Sequence, residues 1–177
     1  TLTDYVTPTS LLLGTVGKGA PEKLKQLPAF FDADGLAVTQ HEATSNDGTR
    51  IPYFQVARRD LALDGSNPTL LYGYGGFNIG ITTRYLGAWA PLINRGVIFV
   101  EAGLRGGDEF GEAWHQDGML LKKQNTFNDF IDTAQWLIDN QYTNPQKLAI
   151  MGGSNGGLLV GAAATQRPDL FKAVVCS

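Results

Sequence analysis

The alternation of apolar and polar residues predicts a β-hairpin in the first third of the chain. Residues 36–43 alternate weakly, and residues 50–56 alternate again. Between them, residues 45–49 are rich in Ser, Asn, Asp and Gly, which favour a turn.

Short uninterrupted apolar runs predict further strands of a different kind. They lie at residues 70–71, 97–100 and 148–151, and a last one ends the chain at residues 171–176. Runs without alternation are typical of parallel strands whose two faces are both covered by helices.

Two segments with helical patterning separate these strands. Apolar residues recur with helical spacing over residues 127–138, and we expect Thr126 to cap this helix with Asp129 as the acid of its first turn. Residues 83–94 are predicted to form another helix, which Gly96 stops in the C′ position. An antiparallel hairpin followed by alternating helices and parallel strands is the element order of the α/β-hydrolase fold.

The most informative local motif is a glycine-rich turn with serine at its apex. Residues 152–157 read Gly-Gly-Ser-Asn-Gly-Gly and join the strand at 148–151 to a predicted helix over 155–166. This is the G-x-S-x-G pattern of a nucleophile elbow, whose glycines let a strand and a helix meet in a strained turn. Ser154 would stand exposed at the helix N-terminus, where the N–H of Asn155 is available to an oxyanion.

The residues alone leave other interpretations of these glycines open. The turn at 152–157 is also compatible with a spectator serine or with a phosphate-cradling loop, although neither a Walker pattern nor a G-x-G-x-x-G fingerprint occurs there. A second glycine loop at residues 73–76 follows the strand at 70–71. In α/β-hydrolases the loop after the third strand contributes to the oxyanion hole, and the alternative here is a plain tight turn with a core tyrosine.

Composition narrows the possible partners. The chain has 177 residues, of which 43% are hydrophobic and 18% charged, as in an ordinary globular domain. A net charge of −3 offers no basic surface for nucleic acid or an anionic membrane, and Lys122 and Lys123 are interpreted as a solvated pair. No apolar stretch approaches the roughly 18 residues of a membrane span, so we expect a soluble chain.

The few cysteine and histidine residues argue against a metal site. Cys176 is the single cysteine and lies in an apolar run, so it is expected to be buried and unpaired. His41 and His115 are the only histidines and lack ligand spacing. We therefore expect neither a metal nor another cofactor.

The first 34 residues do not fit the predicted sheet. Residues 10–14 suggest a short strand followed by a glycine turn, and prolines at positions 21 and 28 interrupt the segment after that turn. We expect residues 1–34 to be the tail of a preceding domain with a linker, and residues 35–177 to be the N-terminal part of an α/β-hydrolase domain.

Six sequence blocks together resemble the prolyl oligopeptidase family of serine peptidases, and within it the bacterial prolyl endopeptidases. The blocks occur in the family's order at residues 71–79, 104–111, 114–115, 123–125, 152–157 and 166–170. The resemblance runs from about residue 43 to the end, and residues 1–27 resemble the last part of the β-propeller that precedes this domain in the family. Asp108 departs from the pattern, because the family usually has another glycine there.

The resemblance implies a role for each matching residue. Ser154 would attack the carbonyl after a proline in a short peptide and form an acyl-enzyme. The Asn155 N–H and the Tyr74 hydroxyl would hold the oxyanion, while Phe77 and Asn155 would line the proline pocket. Asn155 also favours a prolyl endopeptidase over the basic-residue-specific oligopeptidases, which carry alanine at this position.

Other polar and aromatic residues near these blocks are given structural roles. Arg105 and Glu109 are interpreted as a structural ion pair and Trp114 as a packed aromatic, with a position bordering the site as the alternative for all three. His41 and His115 match no catalytic position of the family.

The catalytic triad cannot be completed from the residues that lie after the serine. They contain no histidine, and their only acid, Asp169, lies in a turn. Because a triad serine needs a histidine and an orienting acid, we expect a hydrolase fold that is incomplete at its C-terminus and inactive without the remainder of a longer chain. We also expect the strand at 171–176 to leave an unpaired apolar edge that promotes association.

These observations leave three hypotheses about function. The first is a serine endopeptidase acting on short proline-containing peptides, and the second is an esterase or lipase of the same fold. The third is a catalytically silent module that binds a partner through its open sheet edge. The compartment, cytoplasmic or periplasmic, is left undecided by the sequence.

Overall fold

The computed structural model describes residues 1–177. In chain order its strands are β1 (Ser10–Thr15), β2 (Lys18–Gln26), β3 (Leu36–Thr44), β4 (Arg50–Arg58), β5 (Thr69–Gly73), β6 (Ile98–Ala102), β7 (Leu148–Gly152) and β8 (Ala173–Cys176). Its α-helices are α1 (Ala90–Ile93), α2 (Glu112–Gln116), α3 (Lys123–Asp139) and α4 (Asn155–Gln166), and 3₁₀ turns occupy Gly87–Trp89 and Leu120–Lys122. None of these helices combines the length and the apolar character needed to cross a membrane.

Six strands form one mixed sheet in the order β3-β4-β6-β5-β7-β8. The predicted hairpin is present as β3 and β4, which pair antiparallel, and β4 pairs antiparallel with β6. The remaining neighbours are parallel, with Thr69 opposite both Ile98 and Leu148. The strand order and the alternation with helices confirm the α/β-hydrolase fold.

Both faces of the sheet are buried at its central strands, as the uninterrupted apolar runs predict. Successive strand residues point to opposite faces, and they divide between two apolar clusters. One cluster joins Leu71 and Ile150 to side chains of α3 and α4, and the other joins Leu70 and Phe99 to side chains around α1. The sheet is therefore covered on both sides, and the ends of its parallel strands remain available for a site.

Helix α3 confirms the predicted periodicity but begins earlier than expected. Its buried apolar residues include Phe130, Ile131, Ala134 and Leu137. The expectation that Thr126 caps the helix is wrong, because the helix already begins at Lys123. The Thr126 side chain is instead buried against loop carbonyls that the local sequence does not reveal.

The helix predicted over residues 83–94 is wrong for its first half. Only a 3₁₀ turn and the short α1 form there, and residues 83–86 have no regular secondary structure. Distant contacts hold these residues: the Tyr85 ring stacks on Phe31 with centroids 5.2 Å apart, and the Leu86 N–H donates to the Tyr5 carbonyl at 3.0 Å. Gly96 follows the helix with φ +75°, one position later than the C′ site predicted.

The N-terminal residues combine a separate hairpin with contacts to the main sheet. Strands β1 and β2 pair only with each other, in a two-stranded sheet. Tyr5 and Phe31 nevertheless belong to the second apolar cluster, and the Tyr5 hydroxyl donates to the buried carboxylate of Glu101 at 2.7 Å. The division of the chain at residue 34 stays a prediction.

The last strand lies at an edge of the sheet. β8 pairs with β7 alone, and all four of its residues are exposed. The expectation that Cys176 is buried is wrong, because its strand has a neighbour on one side only. Its thiol lies 3.4 Å from the Gly157 carbonyl.

Candidate active site

Ser154 lies on a strained turn between β7 and α4, where the sequence motif predicts it. Its backbone has φ 55° and ψ −119°, a conformation that non-glycine residues rarely adopt. The side chain is exposed and makes no helix-capping hydrogen bond. Strain of this kind persists only where surrounding structure holds it, and it is concentrated at functional sites.

Two glycines permit the close approach of strand and helix at this turn. A Cβ atom at Gly152 would collide with the backbone of Gly156. A Cβ atom at Gly156 would lie 2.6 Å from the Gly73 carbonyl oxygen on the neighbouring strand β5. The glycine pattern is therefore a packing requirement of three elements that meet beneath Ser154.

Asn155 connects the serine turn to the glycine loop after β5. Its side-chain amide donates a 2.6 Å hydrogen bond to the Tyr74 carbonyl and packs against Gly76. Tyr74 is half-buried, whereas the Phe77 side chain is 74% exposed. The adjacent parallel strands β5 and β7 thus bring Tyr74 into contact with Asn155, the residue after Ser154, although 81 positions separate the two in sequence.

A cavity of about 450 Å³ lies beside the serine turn. Phe77 and Asn155, both predicted to line a pocket, belong to its wall. The complete lining is Gly76, Phe77, His115, Gly118, Met119, Leu120, Lys123 and Asn155. The apolar patterning gives no signal for Met119 or Leu120, because they lie at the start of a three-residue 3₁₀ turn, which is too short to show a period.

The environment of Lys123 differs from the solvated one that the sequence predicts. Lys122 is exposed and pairs with Asp117, but Lys123 is half-buried and donates to the Gly75 carbonyl at 2.6 Å. Burial lowers the pKa of the Lys123 ammonium. The interpretation of the two lysines as a solvated pair is therefore wrong for Lys123.

A buried ion network supports the loop between β6 and α2. The Arg105 guanidinium binds Asp129 through Nε and Nη2, at 2.9 and 2.6 Å, and its Nη1 contacts Asp47 at 2.5 Å. Hydrogen bonding to these carboxylates raises the pKa of Arg105. The same contact lowers the pKa of the Asp47 carboxyl to about 2. Arg105 therefore forms structural ion pairs as predicted, but its partners are Asp129 and Asp47 rather than Glu109.

Glu109 and Trp114 complete this loop. The Trp114 indole N–H donates to the Leu104 carbonyl at 3.0 Å, in agreement with a packed aromatic. The Glu109 carboxylate accepts from the Ile81 N–H at 3.0 Å, and burial raises its pKa. Glu109 forms no salt bridge, so its interpretation as an ion-pairing group is wrong. Asp108, which departs from the family pattern, is exposed and packs against Gly80.

The histidines and the late aspartate occupy three different settings. His41 lies on β3 and contacts the Thr39 hydroxyl, whereas His115 lines the cavity with its Nδ1 2.8 Å from the Gly106 carbonyl. Asp169 is exposed and pairs with Arg167. No group of three or more His, Cys, Asp or Glu side chains is arranged to hold a metal ion.

Comparison with known proteins extends these observations. A family model described as the prolyl oligopeptidase family matches residues 86–177. An uncharacterized peptidase of Sinorhizobium fredii is 46% identical over 97% of this chain and 24% of its own length. A prolyl endopeptidase of Elizabethkingia meningoseptica is 41% identical over 96% of this chain and 24% of its own length.

The structural comparison agrees with the sequence comparison. A structure from a study of two prolyl endopeptidases matches with a TM-score of 0.92 and 46% identity, over 98% of this chain and 26% of that one. The chain therefore spans about a quarter of the length of these relatives. On the matches of sequence, family model and fold, the chain belongs to the prolyl oligopeptidase family.

Proposed function

We propose that this chain carries the nucleophile of a serine endopeptidase that cleaves short peptides after proline. The observation that carries the proposal is the strained, exposed Ser154 at the junction of β7 and α4, beside the loop that holds Tyr74. Membership in the prolyl oligopeptidase family and the similarity to named prolyl endopeptidases support the same reaction.

In the proposed reaction, the Ser154 Oγ attacks the carbonyl carbon of the substrate's proline residue. Its proton passes to a histidine, the carbonyl oxygen takes the negative charge, and the peptide C–N bond then breaks as the amine leaves with that proton. Water hydrolyses the resulting ester and regenerates the serine.

The oxyanion would be stabilised by two donors from neighbouring elements. One is the Asn155 N–H at the first position of α4, where the helix dipole also favours negative charge. The other is the Tyr74 hydroxyl, an O–H donor that could be directed toward the developing charge. The Asn155 amide supports this arrangement, because it binds the Tyr74 backbone directly.

The substrate proline would lie against Phe77 and Asn155. These residues share the wall of one cavity, and the exposed Phe77 ring offers the flat apolar surface that a pyrrolidine ring packs against. The partner implied is a short proline-containing peptide, with no nucleic acid and no membrane.

The histidine and the acid that activate Ser154 are proposed to lie outside residues 1–177. His115 already has a ring nitrogen on the Gly106 carbonyl, and His41 lies on the edge strand β3. In this proposal residues 35–177 form the first part of the hydrolase domain, residues 1–34 end a preceding domain, and activity needs the remainder of a longer chain.

Hydrolysis of a proline-containing reporter peptide tests the proposal. The complete encoded protein should cleave after proline with a turnover within about 1–10³ per second, and residues 1–177 alone should not. Cleavage of simple esters without cleavage of the peptide would favour an esterase. Absence of both activities in the complete protein would favour a silent interaction module.

A further inference from the structure

The first turn of α3 holds the loops around the cavity through three polar side chains. Lys123 donates to the Gly75 carbonyl at 2.6 Å, Asn125 to the Asp117 carbonyl at 2.9 Å, and Thr126 to the Arg105 carbonyl at 2.8 Å. Each acceptor lies in a different segment of irregular backbone. One helical turn thus adds side-chain hydrogen bonds to segments that lie outside the named strands.

Among these contacts, the one from Lys123 reaches the loop that carries Tyr74 and Phe77. Gly75 lies beyond the end of β5 with φ +61°, and no backbone N–H donates to its carbonyl oxygen. A Cβ atom at Gly106 would lie 2.7 Å from this oxygen, so the carbonyl is enclosed by protein. A buried carbonyl without a donor is costly, and the Lys123 ammonium is the donor that this structure provides.

The surroundings of Lys123 exclude the ordinary role of a surface lysine. It forms no salt bridge, its side chain is half-buried, and its ammonium lies 5.8 Å from the centre of the Phe127 ring. It also lines the cavity together with Phe77 and Asn155. A hydrogen bond from a charged donor is stronger than one between neutral groups, which suits a contact that must hold a loop in place.

We propose that Lys123 is a positioning residue, which fixes the loop of residues 74–79 through the Gly75 carbonyl. It acts on the two functions of that loop, namely the Tyr74 hydroxyl as an oxyanion donor and the Phe77 ring as a pocket wall. The kinetic part of this inference rests on the proposed function, whereas the structural part does not.

Hydrogen exchange of residues 74–79 in the complete protein tests the structural part. Lys123→Met keeps the aliphatic stem but removes the donor, and it should accelerate exchange in this segment by about tenfold or more. Lys123→Arg should retain most of the protection, and the exposed neighbour Lys122→Met serves as the matched control. Unchanged exchange in Lys123→Met would overturn the inference, as would equal acceleration in Lys122→Met.

Peptidase kinetics of the same variants test the functional part. Lys123→Met should lower kcat by about tenfold or more with a smaller change in KM, and this loss should shrink when Tyr74→Phe is already present, because both act on one interaction. If the effects of the two substitutions on kcat were fully additive, positioning through Tyr74 would be contradicted. If Lys123→Met does not fold, Lys123→Gln, whose side chain is too short to reach Gly75, makes the same comparison.

The two proposals can fail separately. A wild-type protein without peptidase activity refutes the proposed function, but hydrogen exchange still decides whether Lys123 holds the loop. An active wild type with unchanged exchange in Lys123→Met refutes the positioning role alone.

Discussion

The side-chain amide of Asn155 donates to the backbone carbonyl of Tyr74 across a distance of 2.6 Å. This bond joins the first residue of the helix after Ser154 to the loop after the neighbouring parallel strand. The Asn155 side chain therefore has two roles, because it binds the loop that carries Tyr74 and also lines the cavity. Replacing it is expected to affect both the geometry of the oxyanion site and the pocket.

Asn155→Ala should lower kcat/KM for a proline-containing peptide by about tenfold or more. This magnitude reflects the loss of one partly buried hydrogen bond, about 1–2 kcal/mol, together with the loss of a pocket contact. Asn140→Ala removes a surface amide that donates to a helical carbonyl, and its kinetics should equal those of the wild type. Equal kinetics of Asn155→Ala and wild type would remove Asn155 from the pocket.

Tyr74→Phe should lower kcat by several-fold to about 10³-fold with a small effect on KM. The phenol would donate chiefly in the transition state, so its loss should raise the barrier more than it weakens substrate binding. Tyr72→Phe, two residues earlier in the same segment, is the matched control for loss of a hydroxyl. Unchanged kcat in Tyr74→Phe would exclude this hydroxyl from the mechanism.

Replacing either of two glycines of α4 by alanine should change the free energy of unfolding, but in opposite directions. Gly156→Ala places a methyl group 2.6 Å from the Gly73 carbonyl oxygen and should lower the free energy of unfolding by about 1–3 kcal/mol. Gly161→Ala meets no atom within 4 Å and should raise it by about 0.5–1 kcal/mol, because alanine favours helix. Denaturant unfolding of both variants measures this difference, and equal effects would contradict the packing requirement at Gly156.

Glu109→Gln should be more stable than the wild type at neutral pH, with a difference that shrinks on acidification. Burial raises the pKa of Glu109, so the folded protein binds this proton more tightly than the unfolded chain does. The charged carboxylate therefore destabilises the fold above its raised pKa, and the penalty disappears below the ordinary pKa of about 4.3. Unfolding measured between about pH 4 and pH 7 tests this dependence, with the exposed Glu112→Gln as control. A stability difference between Glu109→Gln and the wild type that does not change with pH would contradict this prediction.

The local sequence predicts the strand, turn and helix around Ser154 because each element carries its own signal. Uninterrupted apolar residues give β7, and the glycine spacing gives the tight turn before α4. The hairpin β3–β4 and the apolar face of α3 are predictable for the same reason, since alternation and helical period are properties of short segments.

Features that depend on distant partners could not be predicted in this way. Residues 83–86 are not helical because Tyr85 stacks on Phe31 and the Leu86 N–H donates to the Tyr5 carbonyl. Lys123 is half-buried because a carbonyl after β5 needs a donor. In each case a tertiary contact overrides the local preference, and no pattern within the segment records that contact.

Covalent labelling of the serine tests the central claim most directly. A fluorophosphonate reacts with a serine that is activated within an oxyanion hole, and peptide mass spectrometry identifies the modified residue. In the complete protein we expect one adduct on Ser154, loss of peptidase activity in proportion to labelling, and no adduct in the Ser154→Ala variant. Peptide hydrolysis that persists in Ser154→Ala, or an inactivating adduct on any other residue, would contradict the account.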